Sequence, residues 1–299
     1  MDLDVSNESL PVFRALASPV RVKIIQLLSK DKLNVSQLSK ALGISSTITI
    51  SHLNKLEDAH LIQSEKKGNQ RVSTLTIDTI NVNFPTKLYI PFKNLDIDIP
   101  IGQYTSYDVA PTCGLADSKG FIGKLDQPGY FMDPKRYQAG MLWFGQGFVE
   151  YQIPNYLQKN QVLEMLELSL ELSSEFPFSN NNWKSDITIS LDGHELGTWT
   201  SPGDFSDTRG RYTPKWLDED MNQYGILKSL RISNHGSTID GKSSADTTID
   251  MIDTNKSSWT LRIAVKDDAE NVGGCTIFGH KFGNHDQGIK TIIYYSDQA

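Results

Sequence analysis

Short polar side chains recur between residues 45 and 58 at positions where they could hydrogen-bond to the edges of DNA bases. Ile48, Leu53 and Leu56 have helical spacing and are expected to face a core. The polar residues expected to face outward are Ser46, Thr47, Ser51, His52 and Lys55. Hydroxyl, imidazole and ammonium groups on one helix face suit the reading of bases and phosphates. The segment therefore predicts a helix that reads nucleic acid.

A preceding helix must position this one. Asn34 can cap that helix, and Gln37 follows three residues later, as in a capping box. Gly43 is expected to end the first helix, and Ser45 to cap the second. Two helices joined by a turn that contains Gly form a helix-turn-helix motif.

A basic hairpin follows the second helix. Residues 59–66 and 71–76 are predicted strands, and Gly68 and Asn69 tolerate the backbone angles of the tight turn between them. Its basic residues are Lys66, Lys67 and Arg71. They could be ordinary solvated charges, but the position after a helix-turn-helix favours a wing that contacts phosphates or the minor groove.

The segments ALASPVRVKIIQLL and LSKALGISSTITISHLNKLEDAHLI, followed by the basic hairpin, resemble the ArsR-type winged helix-turn-helix regulators of bacteria over about residues 9–76. A first helix over Ser9 to Ala17 and a second that starts at Ser18-Pro19 complete the pattern. The resemblance implies a second helix that presents its side chains to the major groove. Those side chains would be Ser46, Thr47, Thr49, Ser51 and His52, with Asn54 and Lys55 nearer the DNA backbone.

The chain departs from that family in three places. Ser51 stands where the family usually has a basic residue, and Ile50 stands where a polar residue is more common. The segment Leu33 to Leu38 lacks the Cys-x-Cys pair of the metal sensors, so no thiolate sensor is expected there. After the wing, Ile77 to Phe92 alternates apolar and polar residues and contains two prolines, Pro85 and Pro91, which predicts strand and linker instead of a dimer-closing helix. A homodimer would then be closed by the first helix or by the C-terminal half.

Charge is divided unevenly along the 299 residues. Residues 1–84 contain ten Lys and Arg and eight Asp and Glu, so the overall charge of −7 leaves −9 to the remainder. Only the first part suits a polyanion, because an acidic remainder repels phosphates. No apolar run approaches the roughly 20 residues that cross a bilayer, and the N-terminus lacks a secretion signal. A cytoplasmic protein without membrane contact is expected.

The second half reads as a succession of short strands. Alternating segments separated by Gly, Asn, Asp and Pro lie at residues 148–153, 162–172, 187–193, 226–233, 259–266 and 291–295. Residues 162–172 could also form a helix, but their clean alternation favours a strand. The predicted fold is multidomain α+β: a winged helix-turn-helix over residues 1–78, then an all-β jelly-roll-like sandwich over residues 79–299.

Two cysteines, Cys113 and Cys275, are too few and too far apart for a disulfide scaffold, and both are expected to be small packed residues. No cofactor fingerprint occurs, so no cofactor is predicted. The spacing of His280, His285 and Asp286 fits no tight metal-ligand motif. The run Asp218 to Asp220 is typical of a solvated charge run and not of a glycosidase acid and base. No nucleophile elbow, P-loop or HExxH motif is present, so no enzymatic activity is expected.

The fragment DITISLDGHELGTWTSPGDF resembles the sugar-binding jelly rolls of carbohydrate-binding modules and galactose-binding-like domains. The later GGCTIFGHKFGNHDQGIKTIIYY resembles the closing segment of a module that bacterial regulators join to an ArsR-type head. Sugars are bound by aromatic faces and by hydrogen-bonding side chains in loops. The candidate ligand-binding residues are Tyr130, Arg136, Trp143, Arg209, Arg211, Trp216, His280, Asn284 and His285. For each Trp the competing interpretation is a core anchor, and both Arg209 and Arg211 could be solvated charges.

These patterns predict a one-component transcription regulator. Its winged helix would bind double-stranded operator DNA, and its sandwich would sense a small effector, a sugar, within a homodimer. The alternative is a regulator whose sandwich serves only for oligomerisation or protein interaction. A third hypothesis, a carbohydrate-active enzyme with a DNA-binding head, requires two facing carboxylates at about 5 to 10 Å in one pocket.

Overall fold

The computed structural model describes residues 1–68, 70–77, 79–83 and 92–298. The chain divides into two compact units, Met1–Ile90 and Pro91–Ala299. This division lies later than the expected boundary after residue 78, because the strand Asn81–Asn83 pairs with Asp2–Asp4. Asp78 itself lies outside the described residues.

Within the described residues, the first unit has four helices, a three-stranded antiparallel sheet and a two-stranded parallel sheet. In chain order its elements are β1 (Asp2–Asp4), α1 (Leu10–Leu16), α2 (Pro19–Leu28), β2 (Leu33–Asn34), α3 (Val35–Leu42), α4 (Ser46–Asp58), β3 (Ile62–Lys67), β4 (Gln70–Leu75) and β5 (Asn81–Asn83). β4 lies between β2 and β3 in an antiparallel sheet, and β1 pairs with β5 in parallel. The order of helices and hairpin is that of a winged helix-turn-helix, as the sequence predicts.

Local caps define the two central helices. The N–H of Gln37 donates to Asn34 Oδ1 at 2.9 Å, and the N–H of Asn34 donates to Gln37 Oε1 at 2.8 Å, so the predicted capping box is confirmed. Gly43 ends α3 with φ 66°, a left-handed conformation that glycine adopts without cost. Ser45 Oγ accepts from the N–H of Ile48 at 3.3 Å and starts α4. The turn and both helix starts are therefore fixed by neighbouring residues.

The core of the first unit forms where the helices meet the hairpin. Leu38, Leu53, Leu56 and Leu61 are fully buried in it. The expectation that Ile48 also faces this core is wrong, because its side chain is 50% exposed.

The predicted strand and linker after the wing is described in part. β5 provides a strand at residues 81–83, where a dimer-closing helix would otherwise begin. Pro85 and Pro91 lie outside the described residues, as does Asn69 of the predicted wing turn.

The second unit is all-β, with four short 3-10 helices in its described residues. Its strands are β6 (Lys93–Ile99), β7 (Ser106–Asp117), β8 (Gly120–Phe121), β9 (Met141–Pro154), β10 (Gln161–Ser173), β11 (Ser185–Leu191), β12 (His194–Ser201), β13 (Ile226–Ser233), β14 (Gly236–Ile239), β15 (Lys242–Ala245), β16 (Ser258–Val265), β17 (Cys275–Phe278) and β18 (Ile289–Asp297). Each predicted strand lies within or overlaps one of these. Residues 162–172 belong to β10, which confirms the strand over the helix.

These strands form two antiparallel arms. One arm has the order β8-β7-β9-β16-β11-β12, and the other has the order β6-β18-β10-β13-β14-β15. β17 joins them, since it pairs with both β9 and β10. Side chains from both arms, such as Tyr151, Leu166 and Trp259, fill one core. The all-β prediction is confirmed, while the jelly-roll connection stays a prediction.

Cys113 and Cys275 are free and buried in that core, as expected. No helix among the described residues is long and apolar enough to cross a membrane.

Candidate nucleic-acid interface and ligand pocket

The exposed face of α4 carries three predicted base-reading residues, Ser46, Thr47 and Ser51, and the two residues predicted to lie nearer the DNA backbone, Asn54 and Lys55. Thr47, Ser51 and Asn54 are exposed and follow one another at intervals of four and three residues, so they share one face of the helix. Ser46 and Lys55 are exposed beside them. Leu53 and Leu56 lie on the opposite, buried side of the helix. The exposed face is therefore free to be polar.

Thr49 requires a correction. Its side chain is fully buried, and its Oγ1 donates to the carbonyl of Ser45 at 3.0 Å. The hydroxyl of Ser39 on α3 lies 3.0 Å from the same oxygen. Thr49 therefore joins the two helices and does not reach the major groove. Its place in the predicted base-reading set is wrong because position 49 falls on the same helical face as Leu53 and Leu56.

His52 is only partly exposed. Its Nδ1 is buried and has no hydrogen-bond partner in the described part of the chain. Burial lowers the pKa of His52, and the charges of Arg21 and Lys55 lower it further. At neutral pH the imidazole is therefore uncharged, so it can contribute hydrogen bonding but not a positive charge.

The basic residues of the wing differ in their surroundings. Lys66 and Lys67 are exposed at the end of β3. Arg71 instead donates from Nη1 to Asn54 Oδ1 at 2.6 Å and from Nη2 to Glu57 Oε2 at 2.5 Å. The guanidinium thus ties the wing to α4, and the prediction that it contacts DNA phosphates is corrected to a positioning role.

Further polar contacts hold the elements around α4 in place. Asn34 Nδ2 donates to Gln70 Oε1 at 2.9 Å, which joins the start of α3 to the wing. Arg21 is buried and donates to the carbonyls of Ala15 at 2.5 Å and Arg14 at 2.7 Å. Arg21 thereby satisfies carbonyl groups at the C-terminal end of α1.

In the second unit, two predicted arginines are occupied by backbone carbonyls. Arg136 Nη1 donates to Gly102 O at 2.9 Å and to Tyr104 O at 2.6 Å. Arg209 Nη1 donates to Pro214 O at 2.9 Å. Both predictions as ligand contacts are corrected, because these groups hold loops together. Tyr130 is half-buried, with its ring against Gly123.

The predicted loop around residues 280–285 meets the loop around residue 211. The N–H of Arg211 donates to Asn284 Oδ1 at 2.9 Å. The N–H groups of Asn284 and His285 donate to the carboxyl group of Glu171, each at 2.9 Å. Burial raises the pKa of Glu171 to about 7, and these backbone donors oppose the rise. Asn284 and His285 thus use their backbones to satisfy a buried acid.

His280 lies between two carboxyl groups. Its Nε2 is 3.0 Å from Asp98 Oδ2, and its Nδ1 is 3.2 Å from Asp286 Oδ1. No group of three or more candidate metal-binding side chains occurs among the described residues.

Trp143 and Trp216 come together through an aromatic cluster. The ring of Phe121 meets Trp143 edge to face at 6.1 Å and Trp216 at 5.0 Å. Trp216 also meets Phe282 at 6.4 Å. Trp143 is 4% exposed, so it is largely a core anchor, as the competing interpretation holds.

Trp143 nevertheless borders a cavity of about 310 Å³ in the second unit. Its apolar lining comprises Leu125, Met141, Trp143, Phe176, Pro177, Phe178 and Met221. Its polar lining comprises Thr112, Asp126, Glu175, Asp218, Asp220 and Asn222. Among the predicted ligand-binding residues, Trp143 lines this cavity. The others do not.

The acidic groups of the cavity are held by defined contacts. Glu175 Oε1 accepts from Thr112 Oγ1, and its Oε2 accepts from Thr276 Oγ1, both at 3.1 Å. Burial, and then the charge of the nearby Asp204, raise the pKa of Glu175 well above its usual range. Asp126 Oδ1 accepts from the N–H of Cys113 at 2.9 Å. The cavity therefore has an aromatic side and an acceptor-rich side.

Residues 18–64 match the family model described as bacterial regulatory protein, arsR family. An uncharacterised HTH-type transcriptional regulator of Methanocaldococcus jannaschii, MJ0229, is 45% identical over 51 residues, which make up 17% of this chain and 54% of that protein. The chain thus spans about half the length of this curated relative. The first unit therefore carries a helix-turn-helix of the arsR family.

Two solved structures are similar to part of this chain. HlyU from Vibrio cholerae is 26% identical, with a TM-score of 0.22, over 23% of this chain and 75% of its own. The homodimeric winged helix-turn-helix fragment of Mb0332 from Mycobacterium bovis is 22% identical, with a TM-score of 0.23, over 23% of this chain and 66% of its own. The resemblance to the arsR family lies in residues 18–64.

Proposed function

We propose that this protein is a transcription regulator that binds operator DNA through α4 and the wing. The observation that carries this proposal is the exposed polar row of Thr47, Ser51 and Asn54 on a helix backed by a buried leucine face. Lys66 and Lys67 on the wing add positive charge suited to phosphates. By analogy with the arsR family, the protein would act in the cytoplasm as a homodimer on two half-sites.

The test uses the full-length protein and a duplex that it selects from a random-sequence pool. Binding is measured by fluorescence anisotropy for the selected duplex and for a scrambled one. The double variant Thr47→Ala/Ser51→Ala should lose most of the difference between the two duplexes, since it removes two hydroxyls from the exposed face. Ser118→Ala, an exposed serine of the second unit, is the control. Undiminished selectivity in the double variant would refute α4 as the reading helix.

We further propose that the second unit binds a small carbohydrate effector in the cavity beside Trp143. Trp143 and Phe176 offer apolar surface to a sugar ring, and Asp126 and Asn222 offer hydrogen-bonding groups to its hydroxyls. Burial raises the pKa of Glu175, so this acid adds no negative charge, but Asp126, Asp218 and Asp220 also line the cavity, and no basic side chain does so in the described part of the chain. This lining disfavours phosphorylated and acidic sugars, because like charges repel. Neutral or amino sugars fit better.

The proposal involves binding without turnover. Several carboxyl groups share the cavity, but both oxygens of Glu175 already accept hydroxyl hydrogen bonds, and Asp126 is held by a backbone N–H. A catalytic acid and base would need to face the scissile bond instead. We therefore expect no hydrolysis of glycosides by the purified protein.

Calorimetric titration of the full-length protein with neutral, amino and phosphorylated sugars tests the effector. We expect binding heat from a neutral or amino sugar and none from phosphorylated sugars. Phe176→Ala should lower the affinity for the bound sugar at least ten-fold. Asp246→Asn, an exposed carboxyl outside the cavity, is the control. A folded protein that binds none of these sugars would refute the carbohydrate effector and leave oligomerisation or protein interaction as the role of the second unit.

A further inference from the structure

Ile50 is an exposed apolar side chain within the polar face of α4. Thr47, Ile50, Ser51 and Asn54 stand at positions i, i+3, i+4 and i+7, so they share one side of the helix. Ile50 is 39% exposed, although the buried side of α4 is already complete with Thr49, Leu53 and Leu56. The packing of the first unit therefore does not account for an isoleucine at this position.

Ile50 also lies on the edge of α4 that faces the wing. Asn54 and Glu57, one and two turns further along the same edge, accept the hydrogen bonds of Arg71 from β4. A duplex held by both α4 and the wing has to pass the surface between them, and Ile50 belongs to that surface. Ile48 is 50% exposed but points about 160° away around the helix.

We propose that Ile50 reads thymine through the 5-methyl group of the base. This inference rests on the proposed binding of DNA by α4. An isoleucine side chain has no donor or acceptor, and the methyl group of thymine is the apolar group that a base pair presents in the major groove. Contact between the two removes both from water. Ile50 thus determines specificity for thymine at one position of each half-site, beside the polar contacts of Thr47 and Ser51.

The test replaces each thymine of the selected duplex in turn by deoxyuridine, which lacks only the methyl group. For the full-length protein, one position per half-site should weaken binding about four-fold, as expected for one buried methyl group. Ile50→Ala should bind the thymine and deoxyuridine duplexes equally, and Ile50→Val should retain the preference. Ile48→Ala is the matched control, with the same side chain on the same helix, and should also retain it.

Equal thymine preference in Ile50→Ala and the unsubstituted protein would overturn the inference. So would selective binding that is insensitive to deoxyuridine at every position. Both outcomes leave DNA binding by α4 intact, whereas a protein that selects no duplex would refute the proposed function and the inference together. The thermal unfolding midpoint of Ile50→Ala should match the unsubstituted protein, because the side chain is exposed.

Discussion

The two units use their polar side chains in opposite ways. On α4, Thr47 and Ser51 face solvent on a surface that is open to a large partner. In the second unit, Arg136 and Arg209 bind backbone carbonyls, and Glu175 is enclosed by two threonine hydroxyls. An open row suits a long polymer such as DNA, while enclosed acceptors around a cavity suit a small molecule. The contrast suggests that recognition and sensing are divided between the units.

The largest expected effect concerns an enclosed group, Asp204. Burial raises the pKa of this carboxyl to about 8, and only the N–H of Phe176 opposes the rise. Because the folded pKa exceeds the unfolded value of 3.8, the folded state holds a proton that the unfolded state releases. The contribution of Asp204 to the free energy of unfolding is therefore fully present below about pH 4 and is lost as pH rises through 8. Between pH 5 and 8 the loss should be about 3 to 4 kcal/mol.

Asp204→Asn should remove this contribution to the slope, since an amide does not ionise and its oxygen can still accept from Phe176. Glu171 and Glu175, whose pKa values burial also raises, keep their own contributions. Urea unfolding at several pH values measures the slope. Tryptophan fluorescence is the signal, and it reports on the second unit because all five tryptophans lie at or after residue 143. Asp246→Asn, an exposed carboxyl, should leave the slope unchanged. The same pH dependence in Asp204→Asn and the unsubstituted protein would show that Asp204 is not the enclosed acid we infer.

The second prediction concerns Arg71, which holds the wing against α4. Arg71→Ala should destabilise the first unit by about 1 kcal/mol, a value reduced for the partial exposure of the ion pair with Glu57. It should also weaken binding to all duplexes, because the wing loses its tie to α4. Thermal unfolding and anisotropy measure the two effects. Weaker binding without any change in stability would instead favour direct contact of Arg71 with DNA.

A structural feature can be predicted from the sequence when the residues that determine it lie close together in the chain. The capping box of Asn34 and Gln37, the end of α3 at Gly43 and the start of α4 at Ser45 all depend on residues within four positions. They were therefore predictable. The prediction for Thr49 is wrong because it rests on the polar type of the side chain and not on its helical position. The same spacing rule that placed Leu53 and Leu56 inward would have placed Thr49 with them.

The cavity could not be predicted in this way. It is assembled from residues near 112, 126, 143, 175 and 220, which strand pairing brings together across long separations. Sequence patterns alone do not single out Glu175. The available signal is an acid followed by two aromatic residues, Phe176 and Phe178, directly after a strand. The ligand contacts predicted for Arg136 and Arg209 are wrong because a sequence does not show which backbone carbonyls a guanidinium will meet.

A smaller effect is expected from His52 on the open face. His52→Ala should weaken the selected duplex about five-fold, as for the loss of one hydrogen bond of about 1 kcal/mol, and leave a scrambled duplex almost unaffected. Its salt dependence should not change near neutral pH, since burial lowers the pKa of His52 and the imidazole is uncharged there. Titrating both duplexes against salt measures this. An equal loss on both duplexes would mean that His52 contacts the DNA backbone.

The smallest expected effect belongs to Lys67, whose exposed ammonium group would neutralise one phosphate. Lys67→Ala should weaken binding to the selected and to the scrambled duplex by the same factor of about three. It should also lower the slope of log K against log salt by about 0.9 for each site. Lys119→Ala, an exposed lysine of the second unit, should change neither quantity. If Lys67→Ala reduced sequence preference while the salt slope stayed constant, the wing would read bases, and base reading would extend beyond α4.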